Sequence, residues 1–206
     1  MRGGGLRGDR STGIGGVGDL TMPSDQKVKM LAGELYLASA PELIADRLKA
    51  QAILAEFNAS AAHADTLRMA LLRQLFGHFG DGAEAKPNIR CDYGYNISVG
   101  ARSFINYDSV LLACNRITIG DEVQIAPGVH IYTGTHPVDS QSRRSGLEYA
   151  VPVFIGDGVW LGGGVIICPG VTIGENTVVG AGSVVIDSLP ANVLAVGNPC
   201  RVVRSF

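Results

Sequence analysis

Aliphatic residues recur every six positions through the second half of the chain: Val99, Ile105, Leu111, then Ile119, Ile125, Ile131, and later Ile155, Leu161, Ile167, Ile173, Val179 and Val185. Two positions ahead of many of them stands a second small or β-branched residue, as at Ser103, Val123, Val129, Val159, Val165, Val171, Thr177 and Ser183. Gly, Asp or Asn fills most of the corners between them. A period of six is too long for the alternation of a half-buried strand, and it does not match the repeat of an amphipathic helix. It fits short strands joined by tight corners and stacked as a coil with an aliphatic ladder inside, the signature of a parallel β-helix. Three hexads make one coil, and successive coils lie about 4.8 Å apart, as in any parallel sheet. The phase survives a two-residue insertion near Asn115 and a longer interruption before Ile155. The final stretch, VLAVGNPCRVVRSF, leaves the repeat and is expected to cap the last coil, as solenoid ends require.

Upstream the period is helical. Ser39 and Glu42 have the spacing of a capping box, with Pro41 in the first turn, where its missing N–H costs little. Leu43, Leu48, Ile53, Leu54 and Phe57 follow at roughly helical spacing, and a break falls at Asn58–Ser60. A second helix is predicted from about Asp65 to Phe76, carrying Leu67, Leu71, Leu72 and Leu75 on one face. Helices this short bury too little to stand alone and should dock on the larger unit. The expected organisation is a Gly-rich tail over 1–26, with Met22 as a natural start, a helical unit over 27–80, and a mainly β unit over 81–206 with an inserted loop at about 136–152.

Composition narrows the classes. A formal net charge of −2, with no basic face, removes the electrostatic case for nucleic acid. No apolar run approaches the length needed to cross a bilayer. Cys91, Cys114, Cys168 and Cys200 are scattered without CxxC spacing, and read as reduced thiols of a cytoplasmic protein.

The helical stretch GELYLASAPELIADR, followed by DYGYNI, IAPGVHIYTGTHP, IGDGVWLGGGVIICPGVTIG and GNPCRVV, resembles the maltose and galactoside O-acetyltransferases and the nodulation-type sugar acetyltransferases. The resemblance spans about residues 27–204. It implies that the coil is left-handed, that the chain forms a homotrimer with active sites between subunits, and that acetyl-CoA is the co-substrate for acetylation of a small sugar. No metal is implied.

The ladder breaks at His136, in TGTHP, and resumes at Ile155, so the interruption is the natural place for function on a rigid coil. Acetyl transfer from a thioester to an alcohol needs a base for the hydroxyl proton, and a neutral imidazole suits that task near pH 7. The resemblance assigns His136 that role. His130 lies on the coil, where it should face outward, and His63 and His78 flank the second helix.

The resemblance also implies roles for other residues. Asn106 would help place the acceptor hydroxyl, and Asp92 and Glu148 would line the acceptor pocket or orient the base. Taken as residues alone, Asn106 is also readable as a coil-corner asparagine and the two acids as solvated carboxylates. Trp160 would wall both the pantetheine arm and the acceptor, and a backbone N–H near Gly163 would meet the thioester oxygen. Gly163 and Ala181 would line the arm, and Pro199, Arg201 and Arg204 would meet the nucleotide end, where guanidinium forks suit phosphate oxygens.

The chain departs from the family pattern in three places. Ile186 and Asp187 stand where relatives usually carry a lysine, Ala113 stands where they carry an acid, and YLASAPE lacks the usual aspartate. These changes leave His136, Asn106 and the glycine-lined channel in place but alter the expected acceptor site. Other readings kept open are an aminosugar N-acetyltransferase, a non-catalytic CoA-binding coil and, remotely, a zinc carbonic anhydrase, which needs three converging histidines.

Overall fold

The computed structural model describes Met1 and residues 25–206, so the tail expected over 1–26 lies outside the described residues except for Met1, Asp25 and Gln26. Three helices come first: α1 (Asp25–Ala32), α2 (Pro41–Ala59) and α3 (Asp65–Leu75). The capping box expected from Ser39 and Glu42 is not formed. Proline fits only the first helical position, so α2 starts on Pro41 with Ala40 as its N-cap and no side-chain cap bond, and Ser39 falls one residue outside. The helix buries Leu43, Ala50, Leu54 and Phe57, whereas Leu48 is 60% exposed on the other side. It ends at Ser60, whose N–H and hydroxyl both donate back to the Phe57 carbonyl. In α3, Leu71, Leu72 and Leu75 are buried and Leu67 faces out.

The remainder is a parallel β-helix of three sheets. In the first sheet, Phe79, Val99, Ile119, Ile155 and Ile173 stack in register, and Leu189 bridges to Ile173. The second sheet stacks Ala85, Ile105, Ile125, Leu161, Val179 and Ala195. In the third, Cys91, Leu111, Ile131, Ile167 and Val185 are aligned. Every aliphatic of the predicted ladder points inward and is at most 2% exposed. Burying each stabilises the coil by roughly 1.5–3 kcal/mol relative to exposure. The coil starts a full turn earlier than the aliphatic pattern, at strand His78–Phe79, because Phe79, Ala85 and Cys91 fill the first ladder positions.

Polar members of the second inward row are satisfied by backbone. Ser103 donates to the Gly120 carbonyl at 2.7 Å and accepts from Val123 N–H at 2.9 Å. Ser183 does the same between Gly180 and Gly197, and Thr177 donates to the Pro190 carbonyl. Without these bonds each buried hydroxyl would be destabilising. The corners require left-handed backbone, which explains their Gly, Asn and Asp content. Arg102 (φ 56°) and Glu122 (φ 57°) adopt it although they carry a Cβ, and their side chains pair at 2.7 Å on adjacent coils. The antiparallel pair Val193–Val196 and Arg201–Ser205 closes the second sheet at the C-terminal end.

The extra residues all fall at one corner. After Cys91 the next ladder residue is Val99, after Leu111 it is Ile119, and after Ile131 it is Ile155, each time between the third sheet and the first. Three successive coils therefore bulge on the same edge, where α1 and the strand Tyr36–Leu37 dock, while Ala50, Leu54 and Phe57 of α2 and the leucines of α3 pack into the coil core.

Candidate active site

The bulged edge is built from three levels. The first carries Asp92 and Tyr93 and a single turn over Gly94–Asn96. The second carries Ala113, Cys114 and Asn115. The third is the long excursion, in which strand Gly134–Thr135 pairs antiparallel with Leu147–Ala150 around a short helix, α4 (Ser140–Arg144). Leu147–Ala150 also pairs with Tyr36–Leu37 of the helical unit, in the register Tyr36 opposite Glu148. Buried Asn115 ties the three parts together. Its amide nitrogen donates to the carbonyls of Met30, Leu31 and Ala150, and its backbone N–H donates to Thr133 Oγ1.

This arrangement brings three of the residues singled out in the sequence into one cavity of about 280 Å³: Asp92, His136 and Glu148. His136 is mostly exposed, and its Nε2 lies 3.8 Å from Glu148 Oε2, an electrostatic rather than a hydrogen-bonding separation. The other carboxylate oxygen, Oε1, accepts from the Tyr36 hydroxyl at 2.5 Å. Burial raises the Asp92 carboxyl above the ordinary range; Arg47 opposes the rise and Glu148 adds to it. Cys114 donates its thiol to Asp92 at 3.8 Å, and its own acidity is pushed up to about 12, chiefly by burial. At neutral pH it is a thiol rather than a thiolate, which makes it a poor nucleophile.

Tyr36, Arg47 and Cys114 were missed by the sequence reading. Arg47 donates to the Ala38 carbonyl at 2.9 Å and to the Tyr93 hydroxyl, so it shapes the cavity wall from α2. Its place in the sequence is an ordinary charged position on a helix, and only docking reveals its use. A larger cavity of about 620 Å³ between α2 and the third sheet shares Asp92 and Leu112 with the first.

The remaining candidates lie elsewhere. Asn106 is half-buried at the corner between the second and third sheets, with its Oδ1 accepting from Tyr107 N–H at 2.8 Å. The same corner continues up the coil through backbone bonds from Gly128 to Tyr107, Gly164 to Pro127 and Gly182 to Gly163. Gly163 and Ala181 are thus stacked above Asn106, one corner away from His136. The Gly163 N–H donates to no backbone carbonyl among the described residues, and a Cβ added there would meet only the Pro127 carbonyl at 3.4 Å. Trp160 is 54% exposed on the outer face of the second sheet. Arg201 is paired with Asp187 at 3.2 Å, and Pro199 and Arg204 are exposed near it. His130 is half-buried on the third sheet, with Nδ1 2.5 Å from the Tyr132 hydroxyl, and His63 and His78 are exposed. Among the described residues no group of three His, Cys, Asp or Glu side chains is placed to hold a metal ion, and no helix is long and apolar enough to cross a membrane.

Two family models match the chain: the maltose acetyltransferase hexapeptide capping motif over residues 29–80, and the bacterial transferase hexapeptide (six repeats) over 152–187. Nodulation protein L of Rhizobium meliloti is 47% identical over 181 residues, covering 88% of this chain and 99% of that protein. A maltose O-acetyltransferase from Clostridium difficile superposes with a TM-score of 0.87 at 51% identity, covering 88% of this chain and 97% of the other. A galactoside acetyltransferase solved in complex with coenzyme A gives 0.85 at 38% identity, covering 89% and 91%.

Proposed function

The chain belongs to the maltose and galactoside acetyltransferase family of hexapeptide-repeat proteins, left-handed β-helices that use acetyl-CoA, and on that footing we propose that it acetylates a hydroxyl of a small sugar with His136 as general base. The observation that carries this reading is the cavity in which an accessible imidazole stands beside two carboxylates and a guanidinium, groups suited to gripping a polyol. His136 takes the proton as the sugar oxygen attacks the thioester carbonyl carbon. The resulting oxyanion is met by the Gly163 N–H. Collapse breaks the carbon–sulfur bond, and the departing CoA thiolate takes the proton from the imidazolium. Glu148 faces the ring and balances its transient charge.

Asn106, Gly163 and Ala181 line a different edge of the coil, so a complete site takes two chains. Cyclic packing of three copies sets that edge of one chain against the His136 edge of the next. The outer faces support it. The third sheet, between the two edges, presents half-buried Val110, Leu112, Ile166 and Val184 together with Arg90, His130 and Tyr132, whereas the first presents His78, Ser98, Thr118 and Thr172, with Phe154 as its apolar exception. Trp160 flanks the CoA channel, and Arg201 and Arg204 are near enough to the end of the coil to meet the nucleotide phosphates. Four unpaired cysteines favour a reducing, cytoplasmic setting.

The test is CoA-thiol release from acetyl-CoA across a panel of sugars and amino sugars, with His136→Ala alongside. Removal of the base should cost ~10²–10⁴-fold in rate. Equal rates in the two proteins would overturn the assignment of His136, and release with amino sugars alone would move the acceptor from oxygen to nitrogen.

A further inference from the structure

The helical unit touches the carboxylate that faces His136 through Tyr36. Tyr36 is fully buried, its ring packed among Met30, Leu43, Tyr93, Cys114 and Ala150, so the position of its hydroxyl is fixed by core packing. That hydroxyl donates to Glu148 Oε1 at 2.5 Å, while Glu148 Oε2 faces His136. Backbone pairing sets the same two residues opposite each other, and the Asn115 amide fastens the Glu148 strand to α1 through Ala150 and Met30. Burial, with Cys114 and Glu148 nearby, raises the pKa of the phenol far above its usual value, so it stays a donor throughout the working pH range. A glutamate has three side-chain torsions, and without an anchor its carboxylate would sample positions away from the imidazole.

We infer that Tyr36 is a positioning residue for acetyl transfer: it fixes the Glu148 carboxylate against His136, so that the helical unit is a working part of the active site and not only a cap on the coil. The inference rests on the reading of His136 as base. It explains why the excursion carrying His136 pairs with a strand that precedes the coil by more than forty residues.

Tyr36→Phe keeps the buried ring and removes only the donor. Its kcat should fall about tenfold, as expected when a catalytic group loses its fixed orientation, with the KM for acetyl-CoA unchanged because the glycine-lined edge is untouched. Glu148→Gln should show a comparable loss. In the Glu148→Gln background, Tyr36→Phe should then change kcat less than about twofold, because residues acting through one another are not additive. Wild-type kcat in Tyr36→Phe, or equal fold-losses in both backgrounds, would overturn the inference. So would loss of CoA binding in Tyr36→Phe by titration, which would mark a defect of fold. His136→Ala distinguishes the two readings. If it is inactive while Tyr36→Phe is at wild-type rate, only the positioning role fails; if it is active, the base assignment fails.

Discussion

Asn106 and His136 stand at opposite edges of the same sheet. Asn106 leads into strand Val110–Leu112, and His136 follows strand His130–Tyr132, which lies parallel beside it in the register Val110 opposite His130. A three-residue strand spans about 10 Å, so the two residues start from corners about that far apart. On the proposed reading the acceptor pocket and the thioester channel would be separate half-sites, and each variant is expected to affect one half or the other.

Asp92 tests the acceptor half. Its folded-state acidity is weakened mainly by burial, so the folded chain holds the proton at a pH where the unfolded chain has released it. Stability contributed by this residue therefore declines as pH rises from the ordinary carboxylate range through the raised value. Asp92→Asn should raise the thermal midpoint near pH 7 and flatten that decline in calorimetry. It should also raise the KM for the sugar while leaving that for acetyl-CoA unchanged. A lower midpoint at neutral pH would contradict the account.

Asp46 on α2 has the opposite sign. Burial alone would raise its carboxyl, but hydrogen bonds from Lys27 and Tyr95, with the charges of Lys27 and Lys49, hold it below the usual range. The bond to Lys27 is 2.8 Å and links α1 to α2. This contribution is present at neutral pH and is lost as pH falls through the depressed value. Asp46→Asn should cost about 1.5–3 kcal/mol at pH 7, the range for hydrogen bonds to a charged group. The difference from wild type should shrink in denaturant titrations as pH falls below the ordinary carboxylate range. A pH-independent difference would mean that packing, not charge, is being measured.

Asp187 tests the CoA half. It pairs with Nη1 of Arg201, which also donates to the Cys200 carbonyl, and its charge competes with a phosphate for that guanidinium. Asp187→Asn should lower the KM for acetyl-CoA about threefold at low ionic strength, and the gain should disappear in roughly 0.5 M salt as screening sets in. Acetyl-dephospho-CoA should show no such gain if the contact is to the 3′-phosphate. An unchanged KM at low salt would remove Arg201 from the nucleotide site.

The coil was readable from the sequence because its interior is so repetitive: each of the twelve spaced aliphatics from Val99 to Val185 occupies a ladder position. The first coil was hidden because Phe79, Ala85 and Cys91 break the aliphatic pattern while keeping the spacing. His136 and Glu148 were singled out by the family resemblance, in a loop that the interrupted repeat marks as displayed. Tyr36 and Arg47 were not, since their roles depend on how the helical unit docks, and periodicity carries no record of a contact between segments so far apart in the chain. The helix start at Pro41 was misread for a local reason: a proline one residue after the cap position outweighs a serine-to-glutamate spacing.

The most direct test of a site divided between chains is to mix two inactive proteins. Asn106→Ala and His136→Ala subunits, unfolded together in equal amounts and refolded, should form mixed trimers in which an intact Asn106 edge meets an intact His136 edge. With random assembly about one quarter of sites are then restored, so thiol release should return to about one quarter of the wild-type rate. Activity that stays at the level of the separate variants would contradict the account and place both residues' functions within one chain.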